Sequence, residues 1–406
     1  MYNKKRAKIF SFGRINYLCF FKLKPMNEIT IFEVNSDNDL KNFIKFPMEL
    51  YKSNKNYVPP LINDEKNIWS RKENAALEYS EFKRYLAYKD GKIAGRIAVM
   101  INHKEVEELG INKIRFGWLD FIDDLDVTKA LIGKAIDYAT EKKMSKIEGP
   151  MGFTNLDKSG MLTMGFDKIA TMIGLYNFAY YPEHLEKLGL IKEKEWVEFE
   201  LDFPTVLSEK VQKFSNLIAE KYKLKVLEFK NKKEILPYVE PMFRLLDETY
   251  KTLSTYTPIS DEQITTYRDK YFNFIDKDYI VCIVDENEEL ISFAITMPSY
   301  SEALQKANGK LWPFGWYHFL QAGKKNLRAN FYLIGIHPDY QRRGVTSLIF
   351  KEIWRNFSKK GVKILETNPE LEENKSVQVL WQDYNPVNHK RRRTYSMEIT
   401  DDKNKI

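Results

Sequence analysis

The sequence is poor in cysteine. Cys19 and Cys282 are the only two in 406 residues. They allow neither a disulfide framework nor a cysteine-built zinc site, and a reducing, cytoplasmic setting is the expectation. Long apolar runs are missing too: none approaches the roughly 18 residues that a membrane-spanning helix needs. The N-terminus also lacks the continuous apolar core of a signal peptide. Lys4, Lys5, Arg6 and Lys8 precede Ile9, Phe10 and Phe12, but Arg14 and Asn16 break the run. Residues 1–26 therefore read as a basic-aromatic extension that is loosely attached or lies on a membrane surface. Charge is not extreme. A net +7 and a pI near 8.9 suit an anionic ligand without requiring nucleic acid.

Hydrophobic residues make up 43% of the chain and aromatics 14%, enough for sizeable cores and two or three domains. ITIFEV after Glu28 predicts a strand, and Ser36 and Asp37 predict a helix cap before Leu40, Phe43 and Ile44. Residues 85–102 form two β-prone runs around Asp90-Gly91, the favoured chemistry of a two-residue hairpin turn. A strand over 114–121, a helix over 127–142 and a short strand ending at Gly149-Pro150 follow. After a glycine-containing loop come a helix near 182–188 and a strand over 195–201.

Beyond Pro204 this order returns. LKVLEF at 224–229 matches ITIFEV, and a helix over 232–251 follows. Residues 279–297 match the first hairpin, 330–357 the strand and long helix, 362–368 the short strand, and 377–399 the last helix and strand. The period is close to half the chain, so a duplicated domain is expected. The boundaries are an extension at 1–26, one copy at 27–203, a linker helix at 204–223 and a second copy at 224–406.

The two copies differ at the turn between the strand and the long helix. In the second copy the turn reads Gln341-Arg342-Arg343-Gly344-Val345-Thr346 after the strand FYLIGI. Helix-starting N–H groups lack intrahelical partners and carry about half a positive charge, so a basic turn there suits phosphate. In the first copy the same place holds Asp123, Asp124 and Asp126, with neither glycine nor a cation. Carboxylates cap a helix well but repel a pyrophosphate, at about 1 kcal/mol per charge pair 4 Å apart in water. Anion binding is therefore expected in the second copy alone, with a structural role for the first.

Gln341 to Thr346 resembles the Gln/Arg-x-x-Gly-x-Gly/Ala signature of the Gcn5-related N-acetyltransferases (GNAT), and IGIHPDY resembles its lead-in. Thr346 departs at the last small position. The whole chain resembles the tandem acetyltransferase-fold proteins of bacteria. The implied fold is α/β (α+β): two tandem domains, each a mixed, mostly antiparallel twisted sheet flanked by helices. The implied activity is transfer of an acyl group from acetyl-coenzyme A, or another acyl-coenzyme A, to an amine, without a metal. In that resemblance the pyrophosphate meets Gln341, Arg342, Arg343, Gly344, Val345, Thr346 and Ser347, and the thioester carbonyl meets backbone N–H groups around Ile334 and Ile336.

Glu366 is the expected base, with His337 as runner-up, and Asn368 is expected to orient the pantetheine arm. The family often uses a tyrosine as acid where this chain has Trp381, and Tyr384 is the expected substitute. The loop residues Asn155, Asp157 and Lys158 could touch the acceptor, although an ordinary polar loop is the simpler reading. The aromatic stretch 311–320 reads as core, or as a lid over an acyl chain or greasy acceptor. The run His389-Lys390-Arg391-Arg392-Arg393 reads as a solvated loop before the last strand, or as a grip for phosphate, an acidic acceptor or nucleic acid. Two alternatives stay open beside the enzyme: a GNAT-fold protein that binds without turnover, and an RNA-binding protein. The acceptor is a small-molecule or peptide amine, with no membrane span.

Overall fold

The computed structural model describes residues 28–203, 206–250, 259–271 and 276–400. The extension expected at 1–26 lies outside them. The first half runs β1 (Ile29–Glu33), α1 (Asp37–Leu50), α2 (Ile62–Asn67), β2 (Ser80–Lys89), β3 (Lys92–Asn102) and α3 (His103–Leu109). It continues with β4 (Lys113–Phe121), α4 (Leu125–Glu141), β5 (Lys146–Gly149), β6 (Met161–Met164), α5 (Tyr180–Lys187) and β7 (Ile191–Asp202). The second half begins with α6 (Glu209–Lys221), β8 (Lys225–Val226), α7 (Leu236–Tyr250), α8 (Asp261–Tyr271), β9 (Ile280–Val284) and β10 (Leu290–Pro298). It closes with α9 (Ser301–Ala307), α10 (Gly315–Lys324), β11 (Arg328–Ile336), α11 (Thr346–Lys360), β12 (Ile364–Thr367), β13 (Glu370–Leu371), α12 (Lys375–Gln378) and β14 (Val387–Glu398).

Local chemistry explains most of these boundaries. Ser36 and Asp39 close a reciprocal capping box on α1. Asp90 and Gly91 both take positive φ, as a tight hairpin turn between right-twisted strands requires. β2 begins five residues before the expected start, because cross-strand pairing extends from Ser80↔Asn102 down to the turn. In the opposite direction, β8 keeps only two residues of the expected LKVLEF strand. The expected helix over 232–251 opens as a 3-10 turn capped by Asn231 and becomes α7 at Leu236.

All strands share one sheet, in the order β1-β2-β3-β4-β5-β14-β7-β12-β11-β10-β9-β8. The terminal strands are exchanged between the halves. β7 ends the first half but pairs with β12 of the second. β14 ends the second half but pairs with β5 of the first. β7 and β14 then pair antiparallel with each other over most of their length. The two cores are therefore joined by the sheet itself. α4 packs on the first half's strands around Leu131, Ile132 and Ala135, and α11 on the second's around Leu348, Ile349 and Ile353. No helix among the described residues is long and apolar enough to cross a membrane.

The basic run 389–393 is not a solvated loop. It lies inside β14, in the middle of the sheet. Strand alternation sends Lys390 and Arg392 to one face, where they are 1% and 0% exposed. Arg391 and Arg393 go to the other and pair with Glu195, Glu372 and Glu186. These cations are neutralised within the sheet, which leaves no exposed basic tract there to track a nucleic-acid backbone. The stretch 311–320 is corrected too: most of its large apolar side chains face solvent.

Candidate active site

β11 is hydrogen-bonded on both edges only in its first half. It runs parallel to β12 from Arg328↔Ile364 to Phe331↔Thr367, and then the two strands part. On the other edge, the register against β10 slips between Ile295 and Thr296, leaving Tyr332 as an extra residue in β11. A bulge increases local twist and bends the strand away from its neighbour. Asn368 pins the point of divergence. Its N–H donates to Phe331 O (3.1 Å) and its side-chain amide to Tyr332 O (2.7 Å).

Beyond the bulge the ladder fixes where the backbone points. His337 donates its N–H to Ile291 O (2.8 Å), so the bonded rungs fall at Gly335 and Leu333. The N–H and C=O groups of Ile334 and Ile336 must then face the open wedge. Their carbonyls do meet partners on that side: Ile334 O accepts from Tyr250 Oη (3.4 Å), and Ile336 O from Gln341 Nε2 (3.2 Å). The wedge thus offers N–H donors to a carbonyl oxygen, with Gln341 tying the following turn to the end of the strand.

That turn has the shape of an anion cradle. Arg342 and Gly344 have positive φ (60° and 82°), while Arg343 between them and Val345 after them do not. Alternation of this kind turns successive N–H groups inward. Val345 caps α11 without a side-chain hydrogen bond, so no side chain fills the helix end. Gln341, Arg342 and Arg343 are exposed, and the Arg343 guanidinium lies over the rings of Tyr222 (5.5 Å) and Tyr340 (5.6 Å). Ser347 turns back on Gly344 O with its N–H (3.0 Å) and hydroxyl (2.7 Å). A Cβ at Gly344 would meet Phe214 of α6 at 2.7 Å. Gly344→Val is therefore expected to deform this turn, since left-handed backbone alone costs a side chain about 1–2 kcal/mol, and to weaken the affinity for whatever anion the turn holds. Calorimetry with coenzyme A checks this, and Asp124→Ala should leave the affinity unchanged.

The matching place in the first half is filled. Asp124 accepts from the N–H groups of Asp126 (3.0 Å) and Val127 (3.3 Å) and is ion-paired with Lys89. The Phe121 N–H goes to Tyr181 Oη (2.9 Å), inside a buried set of Tyr51, Tyr181, Asp120 and Arg96. The strands β4 and β5 also part after three pairs, with the Met151 N–H on Phe116 O (2.8 Å) as Asn368 is on Phe331 O, but there the Met151 backbone lies against Gly117, where a Cβ would meet Met151 O at 2.2 Å.

Glu366 sits on β12 at the foot of the wedge, 3% exposed and ion-paired with Lys390. His389 Nε2 is 3.3 Å from the same carboxylate, and Arg392 pairs with the neighbouring Glu198. Burial works to raise the Glu366 pKa, but Lys390 and His389 outweigh it and hold it at about 2. The first half repeats this device: Glu148, at the same place on β5, pairs with the buried Lys113 (2.8 Å). Ligand atoms of Glu198, Glu366 and His389 lie within 4.8 Å of one another. Both carboxylates, however, are already held by fixed cations that a metal ion would have to displace.

The carboxylate with the opposite character is Glu370, on β13 just past the wedge. Burial pushes its pKa up to about 8, against weaker opposing hydrogen bonds from Trp381 and Thr367. Trp381 Nε1 donates to Oε1 at 2.6 Å, while Oε2 is buried with no hydrogen-bond partner among the described residues. Burial, with the Glu370 charge added, pushes the Tyr250 phenol up to about 12. Tyr250 reaches Ile334 O, so Glu370, Tyr250 and the wedge backbone form one neighbourhood.

The other expected residues have local tasks. The Tyr384 ring packs on Phe350 (5.1 Å). His337 accepts the Asp339 N–H and serves the turn. Asn155 accepts from Arg115, and Asp157 from Thr154, within the first half, while Leu156 of the same loop packs on the second half's core. Glu370 and Tyr250 carried no distinguishing signal in the sequence. Glu370 is one of four glutamates between positions 366 and 373, and Tyr250 ends an ordinary amphipathic helix. Only their place beside the edge of β11 that β12 leaves singles them out.

No protein-family model matches the chain. Protein YghO from Escherichia coli (strain K12) is 27% identical over 375 residues, covering 89% of this chain and 93% of that protein. A bacterial ceramide synthase from Caulobacter vibrioides is 22% identical over 323 residues, covering 77% and 82%. Among solved structures, a tandem GNAT protein from the clavulanic acid biosynthesis pathway superposes with a TM-score of 0.53 at 10% identity. It covers 92% of this chain and 99% of that one. A GCN5-related N-acetyltransferase from Sphaerobacter thermophilus gives 0.50 at 8% identity, covering 91% and 96%. The chain has the GNAT fold in its tandem form, a mixed α/β architecture around a mainly antiparallel sheet.

Proposed function

We propose that the protein is an acyl-coenzyme A-dependent N-acyltransferase whose second half holds the cofactor and whose acceptor is a long-chain amine. The observation that carries this reading is the wedge between β11 and β12. It joins a cradle for pyrophosphate, outward N–H groups for a thioester carbonyl and a carboxylate whose pKa lies near that of a working base. In this reading the pyrophosphate sits in the turn from Gln341 to Ser347 and takes the N–H groups of Arg342, Gly344, Val345 and Thr346, because those of Gln341, Arg343 and Ser347 already bond within the turn, with Arg342 and Arg343 adding charge. Asn368 holds the wedge open at its root, and the N–H groups of Ile334 and Ile336 receive the oxygen that becomes negative as the amine attacks.

We assign the base to Glu370 and not to Glu366. A carboxylate held at about 2 by buried cations is too weak a base for an ammonium, whereas Glu370 has an oxygen without a hydrogen-bond partner among the described residues and shares its proton near pH 8. The amine attacks the thioester carbon, its proton passes to Glu370 directly or through water, and the carbon–sulfur bond breaks. Tyr250, or Tyr384 as read from the sequence, supplies a proton to the departing thiolate. The long-chain acceptor is supported by the name of the Caulobacter relative, ceramide being the N-acyl derivative of a long-chain amino alcohol. The exposed apolar stretch at 311–320 fits the same chemistry.

Coenzyme A release, followed with a thiol reagent, tests this across acyl-coenzyme A donors of increasing chain length. Release is expected with long-chain amino alcohols and not with glucosamine or short peptides. Coenzyme A binding with no release for any amine would favour the non-catalytic alternative, to which Trp381 at the family's tyrosine position lends some weight.

A further inference from the structure

The segment between β10 and β11 builds a surface that the acyl-transfer reading does not by itself explain. Trp312 and Phe314 are 78% and 73% exposed, and Leu311, Trp316, Tyr317 and Leu320 are exposed beside them. Scattered apolar side chains on a surface are ordinary, but so many large ones within ten residues are not. The segment that carries them is fastened at several points. Phe319 stacks on Tyr300 (5.4 Å), and Gln305 donates to Lys55 O (2.8 Å) and Tyr57 O (2.9 Å) of the first half. Ile62 of the first half donates its N–H to Gly309 O (2.9 Å). The buried side of α9 and α10 thus fastens to the first half, and the other side presents aromatics outward.

The charge carried by this segment is almost all of one sign; the exception is Glu302 in the first turn of α9, which ion-pairs with Lys306 (4.0 Å). No aspartate or glutamate occurs between Ala303 and Pro338, whereas Lys306, Lys310, Lys324 and Lys325 are exposed at its edges. Aromatic side chains ringed by lysines suit the boundary between lipid headgroups and acyl chains. We propose that this face docks the protein on a bilayer surface rich in anionic lipid. Phe319 of this segment belongs to the first half's core, and Ala322 and the bulge residue Tyr332 pack against the same core. Docking would hold the protein at the lipid–water boundary, where a long-chain amine and a long acyl chain, as the acyl-transfer reading requires, both partition.

Co-sedimentation of the full chain with vesicles tests this without requiring activity. Vesicles of phosphatidylglycerol and phosphatidylethanolamine should carry the protein down, and phosphatidylcholine vesicles much less. The exposed double variant Trp312→Ser/Phe314→Ser should lower partitioning about tenfold or more, and Lys324→Glu/Lys325→Glu by a similar factor that vanishes at high salt. Unchanged thermal unfolding of both variants shows that the loss is not misfolding. Absence of binding to anionic vesicles, or binding that neither variant weakens, overturns the proposal. So does a dimer that Trp312→Ser/Phe314→Ser dissociates, which would give the face to a second copy. Binding seen only after removal of residues 1–27 would assign the face to the chain's own N-terminus and overturn it as well. A chain that binds vesicles but releases no coenzyme A would leave this inference standing and sink the acyl-transfer reading.

Discussion

Glutamine at position 370 is expected to slow acyl transfer about a hundredfold or more while leaving coenzyme A affinity within about twofold. Glutamine keeps the size and the acceptor oxygen that Trp381 needs, so the site should stay folded. What it loses is a group able to take a proton. Because burial holds the Glu370 pKa near 8, the proposed transfer should quicken in the native chain as pH rises toward about 8 and level off above it. That limb should be missing in Glu370→Gln. Trp381→Phe provides a second readout. The indole N–H stabilises the ionised carboxylate, so its removal should raise the pKa further and move the limb to higher pH. Trp381 is 1% exposed and packs edge-on against Phe331 and Phe350, so this variant will also be less stable. A pH–rate profile for each variant distinguishes the two effects. A limb unchanged in Glu370→Gln would remove Glu370 from the mechanism.

The fold was legible because its signals are local and repeated. The hairpin turns, the Ser36 cap and the strand-turn-helix around Gly344 each follow from a few neighbouring residues. The duplication presents the same order twice. The basic run at 389–393 was misread because like charges in sequence usually mean water. Nothing local tells Lys390 that Glu366 waits for it, or Arg392 that Glu198 does; those partners come from β12 and β7 through the strand exchange. The exposure of Trp312 and Phe314 was hidden for the converse reason, since aromatic density alone reads as core. Glu370 needed the three-dimensional wedge before it differed from Glu366, Glu372 or Glu373.

The second large effect lies in that exchange. Lys390→Met is expected to destabilise the folded chain by about 3–5 kcal/mol, because it leaves Glu366 buried beside Glu198 with one cation fewer. Glu366→Gln should cost a comparable amount by leaving Lys390 unpaired, and the double variant should cost less than the sum. The pH dependence separates these variants. The folded Glu366 pKa, about 2, lies below the ordinary value of 4.5, so its ionised form stabilises the fold above that ordinary value. That contribution, about 3 kcal/mol, is lost as pH falls from 4.5 toward 2. Urea midpoints should show this acid loss in the native chain and not in Glu366→Gln. In Lys390→Met the loss should begin at higher pH. Since β7 and β14 each belong to both halves of the sheet, the weakened chains should still unfold in one transition. Two separated transitions would mean that the exchanged strands do not couple the halves. Glu366→Gln that still turns over in its folded fraction would fix Glu366 as a member of the joint between the halves and leave the proton chemistry to Glu370.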